Sequence, residues 1–325
     1  FKSIIYSNFT KERNTSMKSN HTITSLDQAT GPLPVSMTND YLFRALLQKN
    51  NHVLKGLICS LLHLKMNEVR SVVILNPIVL GEHIDNKDFI LDIRCLLNDD
   101  TMINLEMQVV NQLNWPERSL SYLCRSFDHL ESGQDYNQAK AAIQVGILDF
   151  TLFAEEPEFY ATYMMSNIKN HRIYSSKLRL SVLDLTHIEL ATKEDQFYHI
   201  DYWASLFKAT TWEEIKMLAQ KDGMIKEATD TIIQLTQDEQ IRQRCEARAD
   251  YLYWQKIEEN YKKKLEETNK QLMEEKAQLI AEQKIYMEDN KQLTDEKQQL
   301  LASNEEKDAL IAELKKQLQQ AVQHS

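Results

Sequence analysis

Two acidic residues and an amide lie in neighbouring apolar segments of this sequence, at a spacing that could build a metal site. Asp92 lies within residues 89–97, and Glu106 and Gln108 lie within residues 102–110. Both segments are typical of buried strands, and the Asn-Asp-Asp stretch between them predicts a turn. Because side chains alternate along a strand, Glu106 and Gln108 point to the same face. Facing positions of such a hairpin could bring Asp92 and Glu106 to one divalent cation.

Two carboxylates in apolar strands indicate metal chemistry, because buried charges are costly unless a metal or a partner neutralises them. We expect Asp92 and Glu106 to hold Mg²⁺ or Mn²⁺, which prefer oxygen ligands, with the backbone carbonyl of Met107 as a third oxygen. Such a site could offset phosphate charge and activate water for phosphodiester cleavage. The alternative is a structural role in which Asp92 pairs with Arg94 or Lys87.

The segments around these residues predict an α/β unit. Helices are predicted from about residue 39, over 52–64, from 116 to about 133 and over 198–218, and strands over 72–80, 89–97, 102–110, 142–153, 158–165 and 178–189. The predicted order at the centre of the unit is therefore helix, three strands, helix and strand.

The chain resembles the PD-(D/E)XK nuclease-like family of transposases, the recombination-promoting nuclease group, from about residue 37 to about residue 221. The combination of a Leu-Asp pair with a downstream Glu-Met-Gln tripeptide is the most specific part of the resemblance. The residues that carry it are Asn39–Arg44, Lys87, Leu91–Ile93, Asn104–Gln108, Arg118, Tyr122, Gly133–Tyr136, Leu183–Leu185 and Trp212. The resemblance implies a restriction-endonuclease-like core of helix, three strands, helix and strand.

The resemblance also implies an activity and its residues. It implies a DNA endonuclease whose catalytic residues are Asp92, Glu106 and Gln108. In the wider superfamily a Lys usually occupies the position of Gln108, where it orients the attacking water. A Gln keeps the hydrogen-bonding reach of that Lys and loses its charge. Lys87 could return a cation to the site.

Three further residues are supporting candidates. Asp40 is either a helix cap or an additional acid that faces the metal. Arg118 either contacts a phosphate or bridges to Glu117 or Glu131. Tyr122 is expected to pack rather than to contact substrate.

The chain after Gly223 predicts a long helix, because it contains neither Gly nor Pro and is rich in Glu, Lys, Gln and Leu. An apolar stripe recurs there every seven residues, at Leu265, Leu272, Leu279, Tyr286, Leu293 and Leu300. The alternate core positions are mostly polar and include Asn269 and Asn290. Polar core residues favour paired helices at a cost in stability, so we expect a weak, parallel homodimer through a coiled coil. The alternative is a single solvated helix.

Composition divides the chain into a disordered leader over residues 1–34, a nuclease-like domain over 35–223, and a long helix or coiled coil over 224–325. The leader is rich in Ser, Thr, Asn and Lys, and Met17 within it could be the natural first residue. The net charge of −10 argues against tight non-specific binding of nucleic acid, although basic side chains can still cluster locally.

The cysteine, apolar and glycine patterns indicate the cellular compartment and argue against several classes of protein. The four cysteines are scattered without a Cys-x-x-Cys pair, which favours reduced thiols in a cytoplasmic protein over a zinc site or disulfides. We expect no membrane partner, because no run of eighteen apolar residues occurs. The six glycines form no phosphate-binding loop, and no Gly-x-Ser-x-Gly motif indicates a serine hydrolase.

These observations leave three hypotheses for function. The first is a Mg²⁺-dependent DNA endonuclease of the transposase-associated type. The second is a catalytically inactive nuclease-like domain that serves as a coiled-coil interaction module. The third is a nuclease that uses the same residues on RNA.

Overall fold

The structure is a computed structural model that describes residues 25–78, 80, 92–128, 130 and 133–323, with side chains through residue 316. Contacts between Cα atoms divide the chain into one compact unit that ends at Glu259 and a second that begins at Asn260. Lys87, a predicted supporting residue, lies outside the described residues.

The first unit alternates helices and strands. Its helices are α1 (Asp40–Lys49), α2 (Asn51–Leu61), α3 (Trp115–Phe127), α4 (Lys193–Phe197), α5 (Ile200–Lys208), α6 (Trp212–Lys221) and α7 (Gly223–Gln237). Its strands are β1 (Val72–Ile74), β2 (Ile93–Leu97), β3 (Thr101–Gln108), β4 (Ala141–Leu148), β5 (Tyr160–Tyr163) and β6 (Leu178–Asp184). The helix α8 (Glu239–Gln323) has residues in both units. Helix, three strands, helix and strand therefore follow one another as predicted, and α2 corresponds to the helix predicted over 52–64.

The strands form one mixed sheet in the order β1-β2-β3-β4-β6-β5. β2 and β3 are an antiparallel hairpin in which Ile93 lies opposite Leu105. β3 pairs with β4 in parallel, and β4 pairs with β6 in parallel. The central strands β3 and β4 are buried over most of their length, which is expected of parallel strands covered on both faces.

The two faces of the sheet are covered by different helices. Alternate residues such as Leu105, Met107 and Val145 join the main core together with apolar residues of α1, α2, α5 and α7. The opposite face carries a small cluster of Trp115, Leu148 and Val182 under α3.

Gly146 sets how closely α3 approaches the sheet. A Cβ atom at Gly146 would lie 2.1 Å from the indole ring of Trp115, so only glycine leaves room for this ring. Gly146 is aligned with Glu106 on the neighbouring strand. The first turn of α3 therefore lies directly over the strand position next to Glu106.

The leader prediction needs correction where the structure describes it. Residues 1–24 lie outside the described residues, but residues 25–34 pack against the unit. Leu26 and Ala29 are buried, and Pro32 forms a β-bridge with Thr211. The backbone N–H of Leu33 also donates to the carbonyl of Thr210 at 2.9 Å. Buried apolar side chains and backbone hydrogen bonds together anchor this segment to the unit.

Two helix predictions are also corrected. The helix predicted over 198–218 is interrupted between α5 and α6, because Thr211 and Glu214 form a capping box that starts a new helix. The long helix predicted after Gly223 is interrupted at Asp238, whose Oδ1 accepts from the backbone N–H groups of Gln240 and Ile241. A polar residue that caps well can end a helix without Gly or Pro.

The compact unit also extends beyond the predicted domain boundary at residue 223. Helix α7 buries Ile225, Ala228, Ile232 and Ile233, and α8 buries Ile241 and Cys245 in the same core. The division of the chain into three segments stays a prediction. The compact unit itself continues to Glu259. Among the residues that the structure describes, no helix combines the length and apolar character needed to cross a lipid bilayer.

Candidate functional site

The site is centred on two buried carboxylates. Asp92 immediately precedes β2, and continuing the β2–β3 register by one residue places it opposite Glu106. The two residues are only 6% and 5% exposed. Asp92 Oδ1 and Glu106 Oε2 are buried and have no hydrogen-bond partner among the described residues. Each carboxylate therefore keeps an oxygen with unused lone pairs, which is costly away from water.

Arg118 on α3 forms an ion pair with Glu106. Its Nη2 lies 2.6 Å from Glu106 Oε1, and its side chain is 34% exposed. The predicted bridge from Arg118 to Glu117 is therefore replaced by a bridge to Glu106, and Glu131 lies outside the described residues. The Arg118 guanidinium lies 5.6 Å from the centre of the Tyr122 ring, so the half-buried Tyr122 supports the arginine.

The charges of the two carboxylates are destabilised by their surroundings. Burial raises the pKa of Glu106 to about 7, with Arg118 opposing this shift and the charge of Asp92 adding to it. Burial also raises the pKa of Asp92, against the opposing charges of Arg94 and Arg44. A further cation between the carboxylates would favour their ionised forms.

Asp92 is held in place through its backbone. Arg44 on α1 donates from Nη1 to the carbonyl oxygen of Asp92 and from Nη2 to that of Asn76. Asn76 donates from Nδ2 to the same Asp92 carbonyl at 3.0 Å and accepts from the N–H of Arg94 at 2.9 Å. Because the backbone takes these contacts, the carboxylate of Asp92 is left to face Glu106.

Asp40 does not cap α1, and its role as an additional acid that faces the metal stays a prediction. The cap of α1 is Asn39, whose side chain accepts from the N–H of Leu42 at 3.1 Å. Asp40 is buried and bound by Arg248 of α8, with Nε at 2.7 Å from Oδ1. Asn39 also donates to the carbonyl of Cys245 at 2.8 Å. The first turns of α8 are thus joined to the start of α1, and the Asp40 charge is satisfied by an arginine.

The third predicted catalytic residue lies at the end of β3. Gln108 is on the same face as Glu106, and its Nε2 donates to the carbonyl of Val110 at 2.9 Å. Met107 lies between them with its side chain in the main core. The proposed contribution of the Met107 carbonyl stays a prediction.

A buried amide pair extends this polar face of the sheet and was not predicted. Asn104 donates to Gln144 on the adjacent strand at 2.9 Å, and both side chains are buried. The alternation of polar residues in this strand, at Asn104, Glu106 and Gln108, could have predicted a polar stripe on one face of the sheet. Arg44 and Arg248 were also missed as site residues, although a charged residue within the apolar α1 was itself a signal.

The carboxylate pair fits a divalent cation of the magnesium type. Mg²⁺ binds proteins through one or two carboxylates and keeps several waters. The two unpartnered oxygens of Asp92 and Glu106 supply such a donor set. Within the described residues no group of three or more His, Cys, Asp and Glu side chains is placed to hold a metal.

Fold and site together define a mixed α/β protein with a buried acidic site suited to a divalent cation. The model of a family described as PD-(D/E)XK nuclease family transposase matches residues 37–262. The chain belongs to this family, which indicates a nuclease- or transposase-related function. No curated protein and no solved structure matches the chain.

Removing the arginine that binds Asp40 should destabilise the whole unit. Arg248→Met leaves a buried carboxylate without its partner, and we expect a loss of about 3–5 kcal/mol in the free energy of unfolding. Urea denaturation of the full chain measures this loss. The matched control is Arg242→Gln, which removes an exposed ion pair on the same helix and should cost less than about 1 kcal/mol.

The double variant Asp40→Leu/Arg248→Met should recover most of that stability, because it removes both buried charges. A cost for Arg248→Met no larger than that for Arg242→Gln would contradict the structural role of the pair.

The raised pKa of Glu106 predicts a pH dependence of stability. The folded state holds the Glu106 proton up to about pH 7, whereas the unfolded state releases it near the ordinary pKa of 4.5. The free energy of unfolding should therefore fall as pH rises through this window, by about 3 kcal/mol in total. Urea denaturation in EDTA at pH 5 and pH 8 should show this loss in the wild type and a smaller loss in Glu106→Gln, where Asp92 keeps its raised pKa.

The control for the pH experiment is Glu117→Gln, which changes an exposed glutamate on α3 and should keep the wild-type pH dependence. Parallel pH dependence in the wild type and Glu106→Gln would show that Glu106 ionises normally.

Proposed function

We propose that this chain is a metal-dependent DNA endonuclease that hydrolyses phosphodiester bonds with Mg²⁺ or Mn²⁺ held by Asp92 and Glu106. The observation that carries the proposal is the opposition of two buried carboxylates, each with an oxygen that no described residue satisfies. Membership of a nuclease family supports the same chemistry. The proposed architecture is a restriction-endonuclease-like core, supported by the element order from α1 to β4 and the carboxylates on the β2–β3 hairpin.

The residues of the chain divide the work of the proposed reaction. When bound, the cation would offset phosphate charge and lower the pKa of an attacking water. Asp92 and Glu106 orient this cation, and Arg44 and Asn76 fix the backbone that carries Asp92. Arg118 balances the charge of Glu106 and is exposed enough to meet a phosphate as well.

Gln108 is proposed to orient the attacking water. Its Nε2 is held by the carbonyl of Val110, which fixes the plane of the amide. Its Oε1 can then accept a hydrogen bond from a water on the side of Glu106. Gln108 thus replaces the hydrogen-bonding role of a lysine but adds no positive charge. The positive charge at the site must then come from the cation and from Arg118.

The long helix suggests a second feature of the protein. The heptad stripe is largely exposed along the second unit, with Leu272 at 56% and Leu279 at 59%. Exposed leucines at this period favour association with another helix. We propose a parallel homodimer through this stripe, which would give two metal sites for two DNA strands. The proposed setting is the cytoplasm, where four free cysteines would stay reduced.

The inactive interaction module is the second candidate function. The acidic net charge of the chain and the same exposed stripe favour it. It predicts that removal of the tail abolishes the biological effect, whereas Asp92→Ala leaves it intact. An RNA substrate is a variant of the first proposal, and competition between RNA and DNA separates the two.

Nicking of supercoiled plasmid tests the proposed activity. We expect the wild type to nick DNA with Mg²⁺ or Mn²⁺, and Asp92→Ala and Glu106→Ala to lose at least about a hundredfold in rate, because each removes a ligand of the cation. The matched control is Glu117→Ala, an exposed acid on α3 that should keep wild-type activity.

Circular dichroism of each variant shows whether lost activity reflects lost structure. A folded wild-type protein that leaves DNA uncut across several divalent cations would move the conclusion to the inactive module.

Light scattering tests the proposed dimer. The full chain should give twice the chain mass of 38.1 kDa, because the stripe would be buried between two copies. Leu279→Asn should shift the mass toward the monomer, whereas Ile285→Asn should not. Ile285 is equally exposed at 60%, but it lies off the stripe.

A truncation for the same purpose should end after Glu259 rather than after Gly223, because residues 224–259 belong to the compact unit. A full-length chain that is monomeric at micromolar concentration would refute the dimer.

A further inference from the structure

The chain between β5 and β6 forms a two-stranded ribbon that continues past the paired residues of these strands. The N–H of Tyr174 donates to the carbonyl of Met165 at 2.9 Å, and Ser166 forms an antiparallel bridge with Ile173. The N–H of Asn167 donates to the carbonyl of Arg172 at 2.9 Å. We call residues 164–177 the β5–β6 ribbon. Its backbone is hydrogen-bonded up to its tip, so its side chains are held in a fixed register.

The charge of the ribbon is opposite to that of the chain. The net charge of the protein is −10, with 48 Asp and Glu residues, yet residues 159–183 contain neither acid. The same stretch contains Lys169, Arg172, Lys177 and Arg179. Lys169 and Arg172 are exposed and form no ion pair with any described residue. The ribbon is therefore a local cationic feature, which is what binding of a polyanion requires.

The ribbon also exposes large apolar side chains beside these cations. Ile168 is 93% exposed and Tyr174 is 82% exposed. The register places Tyr174 opposite Met165, and Arg172 on the same face two residues away. Asn167 lies opposite Arg172 on the same face. A face that combines the ring of Tyr174, the guanidinium of Arg172 and the amide of Asn167 can contact both base edges and phosphates.

We propose that the β5–β6 ribbon enters the major groove of duplex DNA, with Lys169 and Arg172 on phosphates and Tyr174 in the groove. This inference deepens the proposed function and rests on DNA as the substrate. The major groove, about 12 Å wide, admits a two-stranded β-ribbon. The negative charge of the DNA backbone is complementary to the cations of the ribbon.

The ribbon and the carboxylate pair are close enough for one duplex to meet both. Val182 on β6 is aligned with Gly146, and Gly146 is aligned with Glu106. The ribbon joins β6 at Leu178, and Arg172 precedes Val182 by ten residues, which is at most about 33 Å along an extended strand. β6 lies about 10 Å, or two strand spacings, from β3. The separation of Arg172 from the carboxylate pair is therefore about one helical turn of DNA, about 34 Å.

Fluorescence anisotropy of labelled duplex DNA with the full chain in EDTA tests this surface without cleavage. Lys169→Gln/Arg172→Gln should raise the dissociation constant about tenfold or more at 0.1 M salt. It should also reduce the slope of log K against log salt by about 2, since each lost phosphate contact removes about 0.9. The matched control Lys193→Gln/Lys221→Gln removes two exposed lysines elsewhere and should bind as the wild type does.

Two further variants sharpen the test. Arg172→Lys keeps the positive charge and should retain most of the affinity for DNA. If Arg172 had only a structural role, retention of its charge would not preserve the affinity. Tyr174→Ala should weaken binding with little change in the salt slope, because it removes an uncharged contact.

The outcomes separate this proposal from the proposed activity. Weaker binding in the ribbon variant alone supports the ribbon, whether or not the protein cuts DNA, because EDTA removes the cation needed for cleavage and leaves the phosphate contacts of the ribbon in place. Equal loss in ribbon and control variants, or no loss in either, overturns the ribbon and leaves the endonuclease proposal standing. A wild type that binds no duplex overturns it as well. A lower mass of the ribbon variant by light scattering would instead make the ribbon an interface between copies.

Discussion

Two carboxylates buried opposite each other are the constraint around which this structure is arranged. Asp92 and Glu106 lie on adjacent strands of a sheet covered on both faces, where their negative charges repel and water cannot screen them. One guanidinium, from Arg118, reaches Glu106. The geometry is stable enough to form but leaves an oxygen of each acid unsatisfied. That imbalance is the physical reason to infer a cation at this point.

Much of the surrounding structure serves to hold this unfavourable pair in place. Arg44 and Asn76 bind the backbone of Asp92, so its position does not depend on its charge. The missing side chain of Gly146 admits Trp115 and brings α3 close enough for Arg118 to reach the sheet. Asp40 adds a third acid nearby, and its charge is satisfied by Arg248 from the other end of the unit.

The sequence was sufficient to predict the local part of this arrangement. A short turn between two apolar strands fixes the hairpin, and the alternation of side chains then places Asp92 and Glu106 together. The start of α1 at an Asn-Asp pair was also confirmed, with Asn39 as the cap. These features depend on residues close to one another in the chain, where propensity and spacing carry the information.

The parts that could not be predicted depend on residues far apart in the chain. Arg248 and Asp40 are separated by 208 positions, and no pattern in either segment indicates the other. For the same reason the domain boundary was placed too early: α7 and the start of α8 have the composition of the tail but bury their apolar face in the core. A helical pattern shows that a face is apolar, and only the tertiary structure shows what covers it.

The most direct test of a cation site at Asp92 and Glu106 is the binding of Mn²⁺ to the full chain at pH 8. Electron paramagnetic resonance measures the concentration of free Mn²⁺ during the titration. We expect saturable uptake by the wild type that is lost in Asp92→Asn and Glu106→Gln, because both acids must be ionised to hold the ion. Uptake that is unchanged in these two variants, or no uptake by a folded wild type, would contradict the claim that this carboxylate pair is built for a cation.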